Sequence, residues 1–183
     1  MGAGGQRQST IRVIIFDWGD TVMKVFPEFS GPMAHWPKVE AVLGVEEALK
    51  MAAKDYQLVL ASNAADSSSD LVRDALERVG LERYFLHVMT ARDLGAAKPE
   101  PGFFKAVLRN TGCQPGEAVM VGDHFETDIA SAKGVGLWTI WYNPRGKDPP
   151  KHRLPAADVV IQRYDDFDNA LMIIRSRSER TSM

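Results

Sequence analysis

A single cysteine, Cys113, leaves the 183-residue chain without an internal disulfide or a cysteine-based zinc site. No apolar run reaches the roughly 18 residues needed to cross a bilayer, so no membrane partner is expected. Basic charge is not in excess either. The 22 Lys and Arg residues face 24 Asp and Glu, a net charge of −2, which lacks the electrostatic footprint of a nucleic-acid binder. The first ten residues have no apolar stretch of signal-peptide length. Together with the lone thiol, this makes the cytoplasm the expected location. The glycines at positions 2, 4 and 5 precede the first strand candidate, whereas a dinucleotide-binding loop follows a strand. Residues 1–10 read as a flexible leader. Residues 175–183, polar and rich in Arg and Ser, read as a frayed tail.

What the chain does have is alternation. Short apolar runs at 11–16, 57–62, 87–90, 118–121, 137–141 and 158–161 have the length of buried strands. Amphipathic stripes lie between them. Val45, Ala48, Leu49 and Ala52 keep the i, i+3, i+4, i+7 spacing of a helix face. Leu71, Val72, Ala75, Leu76 and Val79 form a second stripe, with Gly80 as a stop. Phe103, Phe104, Val107 and Leu108 make a third, and Phe167, Ala170, Leu171 and Ile174 a fourth. Strand and helix in turn predict βαβ units, a mainly parallel sheet and helices on both of its faces. One domain over 11–174 is expected, with a Pro/Gly/Lys-rich surface loop at 143–155.

Ligands of such sheets sit beyond the carboxyl ends of the strands. The first strand ends in Asp17-Trp18-Gly19-Asp20-Thr21 and the second in Ser62-Asn63. Lys98 precedes Pro99 and the third helix, and the fourth strand runs into Asp123 and then Asp128. Three carboxylates gathered on one rim repel unless a cation lies among them. An all-oxygen donor set with room for water and phosphate suits Mg²⁺. Plainer roles exist for each residue. Asp17 could cap a loop, Ser62 and Asn63 could form a turn, Lys98 could be solvated, and Asp128 could serve as a first-turn helix charge. His124 and Glu126 read as rim residues, Cys113 as inert, and Trp138 and Trp141 as packing of the fifth strand.

These four segments, in this order, resemble the motifs of the haloacid dehalogenase superfamily, and the resemblance spans residues 11–168. It implies a three-layer α/β/α, Rossmann-like sandwich with strand order 5-4-1-2-3 and an extra edge strand. It also implies a phosphate monoester hydrolase working through an aspartyl-phosphate. Asp17 matches the nucleophile, and Ser62 the hydroxyl that bonds a phosphoryl oxygen, with Asn63 beside it on the substrate side. Lys98 matches the lysine that offsets negative charge. Asp17, the carbonyl of Gly19, Asp123 and Asp128 match the Mg²⁺ site, Asp128 as a ligand or as an orienting acid further out.

One position departs from the pattern. The family's phosphatases carry a second Asp two residues after the nucleophile, as acid and base; here that residue is Gly19. A positioned acid/base is worth about 10²–10⁴ in rate. Either Asp20 substitutes for it, or turnover is slow and restricted to good leaving groups, or the protein is a binding or regulatory module. The dehalogenase branch also lacks this Asp, but it needs no metal and does not keep the Gly122-to-Asp128 arrangement. A receiver domain gathers its acids at the first strand and places its acceptor later, the reverse of the order here.

No cap domain is expected. The stretches from Thr21 to Ser62 and from Ser62 to Lys98 each hold no more than about 40 residues, much of that helix and strand, and units this short rarely fold alone. Residues 22–37, with Phe26, Phe29 and Trp36, read as a flap over the cleft mouth or as a loop packed on its own sheet. A site without a cap leaves closure to a bulky phosphorylated substrate or to a second copy of the chain, a homodimer.

Overall fold

The structure is a computed structural model, and it describes residues 11–150 and 157–181. Its strands are β1 (Val13–Phe16), β2 (Gln57–Ser62), β3 (His87–Thr90), β4 (Ala118–Gly122), β5 (Trp138–Tyr142) and β6 (Val159–Ile161). All pairings are parallel, in the order β3-β2-β1-β4-β5-β6. The expected order is therefore present, and the extra edge strand is β6, beside β5.

Parallel strands need crossovers, and helices supply them. They are α1 (Val45–Ala52), α2 (Ser69–Glu77), the single turn α3 (Ala91–Leu94), α4 (Pro101–Thr111), α5 (Ser131–Val135) and α6 (Phe167–Thr181). The central strand is apolar at every position because both its faces are covered. Ile14 and Phe16 pack with the buried faces of α1, α2 and α6. Val13 and Ile15 point the other way, against Phe103, Phe104 and Val107 of α4 and Ala132 of α5. This period-2 alternation builds the three layers. Cys113 is buried in the second layer, as expected of an inert thiol.

Residues 175–181 are not a frayed tail. They continue α6 through Thr181, with Ser178 buried. Ser178 Oγ donates within the helix to Arg175 O at 2.8 Å, and Arg177 ties the helix to the sheet by donating to Asp158 O at 2.7 Å. Polar composition disguised a docked helix. The leader at 1–10, residues 151–155 of the loop at 143–155, and residues 182–183 lie outside the described residues.

The segment expected as a flap, 22–37, is anchored to the rest of the fold. Val22 and Met23 are fully buried, and the chain bridges from Met23 to Ala41. A 3₁₀ turn at Met33–His35 packs on α2, where the Arg78 guanidinium donates to the carbonyls of Ala34 and Trp36 at 3.0 and 2.8 Å. Phe26, Phe29 and Trp36 form a chain of ring contacts 5.9 and 5.6 Å apart. Among the described residues, the β1–β2 and β2–β3 crossovers hold this flap, α1, α2 and short turns, with no separate lid domain. No helix among them is long and apolar enough to cross a membrane.

Candidate active site

Register brings the site together. Phe16 pairs with Val121 and Leu60, so the residues just beyond β1, β4 and β2 emerge side by side. Asp17 begins the first loop, its N–H bonded to Val121 O at 2.9 Å. Lys98 enters from the α3–α4 connection. Its ammonium, 2% exposed, lies 2.5 Å from Asp17 Oδ1 and 2.7 Å from Asp128 Oδ1, and donates to Ala61 O at 3.3 Å. Burial alone would favour a neutral lysine, but the two carboxylates outweigh it and leave its pKa raised. Burial, and then the charge of Asp17, push the Asp128 carboxyl up to about 7.

Asp128 sits in a π-helical stretch, Phe125–Ala130. Such stretches often mark functional sites. Its Oδ2 accepts from the His124 N–H at 3.1 Å, so both of its oxygens are engaged. The side chain also crosses the end of β4. A Cβ on Gly122 would lie 2.6 Å from Asp128 Cγ. Gly122→Ala therefore has to push Asp128 off Lys98. Overpacking of this kind costs about 1–3 kcal/mol. At 2–4 °C per kcal/mol for a chain this long, the variant is expected to melt several degrees lower; an unchanged melting curve would show that the loop yields freely.

Asp123 is half-buried and held on three sides. Its N–H donates to Thr21 Oγ1 at 3.1 Å, Thr21 Oγ1 donates to its Oδ1 at 3.4 Å, and Trp141 Nε1 donates to its carbonyl at 3.0 Å. Thr21 is in turn anchored by the buried Tyr164, whose hydroxyl donates to Thr21 O at 2.8 Å. Burial, then Asp17 and Asp20, raise the Asp123 pKa. His124 and Glu126 are exposed at the rim, as expected.

Carboxylate oxygens of Asp17, Asp123 and Asp128 all lie within 4.8 Å of one another. Lys98 pairs with two of these acids, and among the described residues Asp123 forms no ion pair. Three acids against one ammonium, with only oxygen donors, is a donor set that fits a hard divalent cation such as Mg²⁺.

Two sequence-predicted residues also serve as braces. Asn63 lines the cleft with Asp17 and Ser62, and its amide also braces Lys98: its Nδ2 donates to Lys98 O at 2.8 Å, and its Oδ1 accepts from Lys98 N at 2.7 Å. The amide fits the lysine's main chain on both sides and so positions Lys98. Asp20 has left-handed backbone, φ +52°, and its Oδ1 accepts from the Val25 N–H at 3.0 Å, closing the flap turn. Its side chain lines a cleft with Asp123, Lys24 and Arg145. A different cleft, of about 300 Å³, holds Asp17, Gly19 and Ser62. Asp20 is thus held in the flap turn, beside Asp123.

Ser62 ends β2, 5% exposed, and its Oγ accepts from the Ala64 N–H at 3.1 Å, which leaves its proton for an acceptor in the cleft. Trp141, read only as packing, and Tyr164 are braces that sequence reasoning missed. Their partners are far apart in the chain, and no local pattern marks them.

The chain matches the haloacid dehalogenase-like hydrolases over residues 6–142 and belongs to that family. Among curated relatives, it is 33% identical over 126 residues to the glyceraldehyde 3-phosphate phosphatase of Methanothermobacter thermautotrophicus, covering 69% of this chain and 54% of that one. It is 33% identical over 114 residues to the phosphoserine phosphatase of Thermus thermophilus, 62% of this chain and 42% of that one. The chain spans about half the length, or less, of the curated relatives it matches. An uncharacterized protein from Listeria monocytogenes serotype 4b has a similar fold, with a TM-score of 0.79 at 23% identity, covering 91% of this chain and 99% of that one. A phosphatase of the same family from Thermococcus onnurineus gives 0.64 at 30% identity, over 75% and 60% of the two chains.

Proposed function

We propose that the chain hydrolyses phosphate monoesters with Mg²⁺, through a covalent aspartyl-phosphate on Asp17. The observation that carries this reading is the Lys98 ammonium held between Asp17 and Asp128, with Asp123 alongside. The phosphatase names of its relatives support a phosphorylated small molecule as substrate. A cytoplasmic setting belongs to the same reading.

In the first half-reaction, Asp17 Oδ attacks phosphorus and the bond to the leaving oxygen breaks. Lys98 offsets the charge shared by Asp17 and the phosphoryl group, and the Ser62 hydroxyl donates to a phosphoryl oxygen. Mg²⁺, held by Asp17, Asp123 and the Gly19 carbonyl with Asp128 behind them, supplies an electrostatic clamp when bound. No acid at position 19 protonates the leaving group, so it departs as an anion and takes its proton from water. In the second half, water attacks the phospho-Asp17, again without a positioned base, releasing phosphate and restoring the carboxylate. Turnover of modest rate follows. Without a lid domain, closure falls to the substrate or to a second copy of the chain.

Release of phosphate from a panel of sugar phosphates, nucleotides and acyl phosphates with Mg²⁺ tests the reading, with Asp17→Asn as the blank. Activity in the parent and none in the variant supports it. Silence across the panel favours a binding or regulatory module, the reading to which the unfilled acid position at Gly19 lends weight.

A further inference from the structure

The cleft that contains Asp17 and Ser62 has an apolar wall. Trp18, Val25, Met33 and Trp36 line it, and Gly19 forms part of its floor. Its volume, about 300 Å³, is at the small end of ligand pockets. The wall is fixed before any ligand arrives. Trp36 Nε1 donates to the carbonyls of Ser30 and Gly31 at 3.2 and 3.0 Å, and Phe29 packs on its ring. Arg78 ties the following turn to α2. Trp18 is buried, and its indole N–H is the one buried side-chain donor without a partner among the described residues.

Chemistry narrows the occupant independently. With glycine at 19 and the Asp20 carboxylate bonded to the Val25 N–H, the position two residues after the nucleophile carries no acid for the departing oxygen. A leaving group must therefore carry its own negative charge. A phenol, with a pKa of about 10, does so far more readily than an aliphatic alcohol, whose acidity is close to that of water at about 15.7. Phenolic rings also stack on tryptophan and fill apolar walls.

Resting on the phosphatase reading above, we infer that the substrates are aryl phosphates, with the phosphoryl group at Asp17 and the ring against Trp36, Met33 and Val25. Attack by Asp17 breaks the aryl oxygen–phosphorus bond; the electron pair leaves on the phenolate, which takes a proton from water.

Steady-state kcat/KM for phenyl phosphate and for acetyl phosphate, measured with Mg²⁺, tests this. Acetyl phosphate also has a weakly basic leaving group but carries no ring. Two variants reshape the wall in opposite senses: Trp36→Ala removes the stacking face, and Val25→Trp fills the cleft from a position that is 44% exposed. Each is expected to lower the phenyl-to-acetyl ratio of kcat/KM by fivefold or more. A smaller change in Val25→Trp, which keeps the N–H that Asp20 uses, overturns the assignment even if Trp36→Ala fails to fold. Hydrolysis of acetyl phosphate with the ratio unmoved removes the ring site and leaves the phosphatase reading intact. No hydrolysis of either substrate by the parent removes both.

Discussion

Gly19→Asp is expected to accelerate hydrolysis of an aliphatic phosphate monoester by about 10²-fold, and of p-nitrophenyl phosphate by less than tenfold. The asymmetry follows from what a general acid does. It matters when the departing oxygen is strongly basic, where its full worth is about 10²–10⁴, and little when the leaving group is already a stable anion. The backbone permits the change, because Gly19 is not among the residues with positive φ. The new Cβ meets Val25 Cγ2 at 3.0 Å, so the valine must turn slightly and the carboxyl will not be perfectly placed. That strain sets the expected gain at the low end of the range. Parallel assays of the two substrates decide it: if the aliphatic ester gains nothing, the missing acid is not what limits this site.

Replacing Lys98 with Met should cost both stability and rate. The ammonium is enclosed, and the substitution leaves Asp17 and Asp128 facing each other without compensation. Breaking a buried pair from one side typically costs about 3–5 kcal/mol. For a chain of this length that is a fall in melting temperature of roughly 10 °C. Loss of the charge beside the nucleophile should lower kcat by at least about 10²-fold, the scale of removing one electrostatic donor. Thermal melts and steady-state assays of the purified variant check the two effects separately. A variant as stable as the parent would mean that the two acids take up a proton when the lysine is lost and so relieve their repulsion.

Much of this layout was legible beforehand, and the reason is physical. β1 is apolar at every position because it is covered on both faces, so its place at the sheet centre is written in residues 13–16. Asp17, Ser62, Lys98, Asp123 and Asp128 stand out because charged and hydroxyl groups are costly at the ends of buried strands unless they have work to do. The structure brings Asp17, Lys98, Asp123 and Asp128 together as expected, with Ser62 lining the cleft beside Asp17. Other roles have no local signature. Asn63 resembles a turn residue until the Lys98 backbone is seen between its two amide atoms. Asp20 resembles a spare acid, and only the structure shows that it also closes the flap turn through the Val25 N–H. Gly122 is small because a side chain six positions later passes over it. The α6 extension looks too polar to dock, since hydrogen bonds rather than apolar area hold its last turns.

The Tyr164 hydroxyl reaches Thr21 from beyond residue 142, where the family match ends. Its ring stacks on Tyr142 at 4.8 Å and packs against Phe167 at the start of α6. The β6–α6 segment is therefore a buttress for the nucleophile's loop, and not an appendage to a finished catalytic body. A shortened version ending at β5 would keep every acid, the lysine and the serine, yet lose the strut that holds Thr21 against Asp123. Such a fragment would own all the reactive groups and lack the rigidity to aim them.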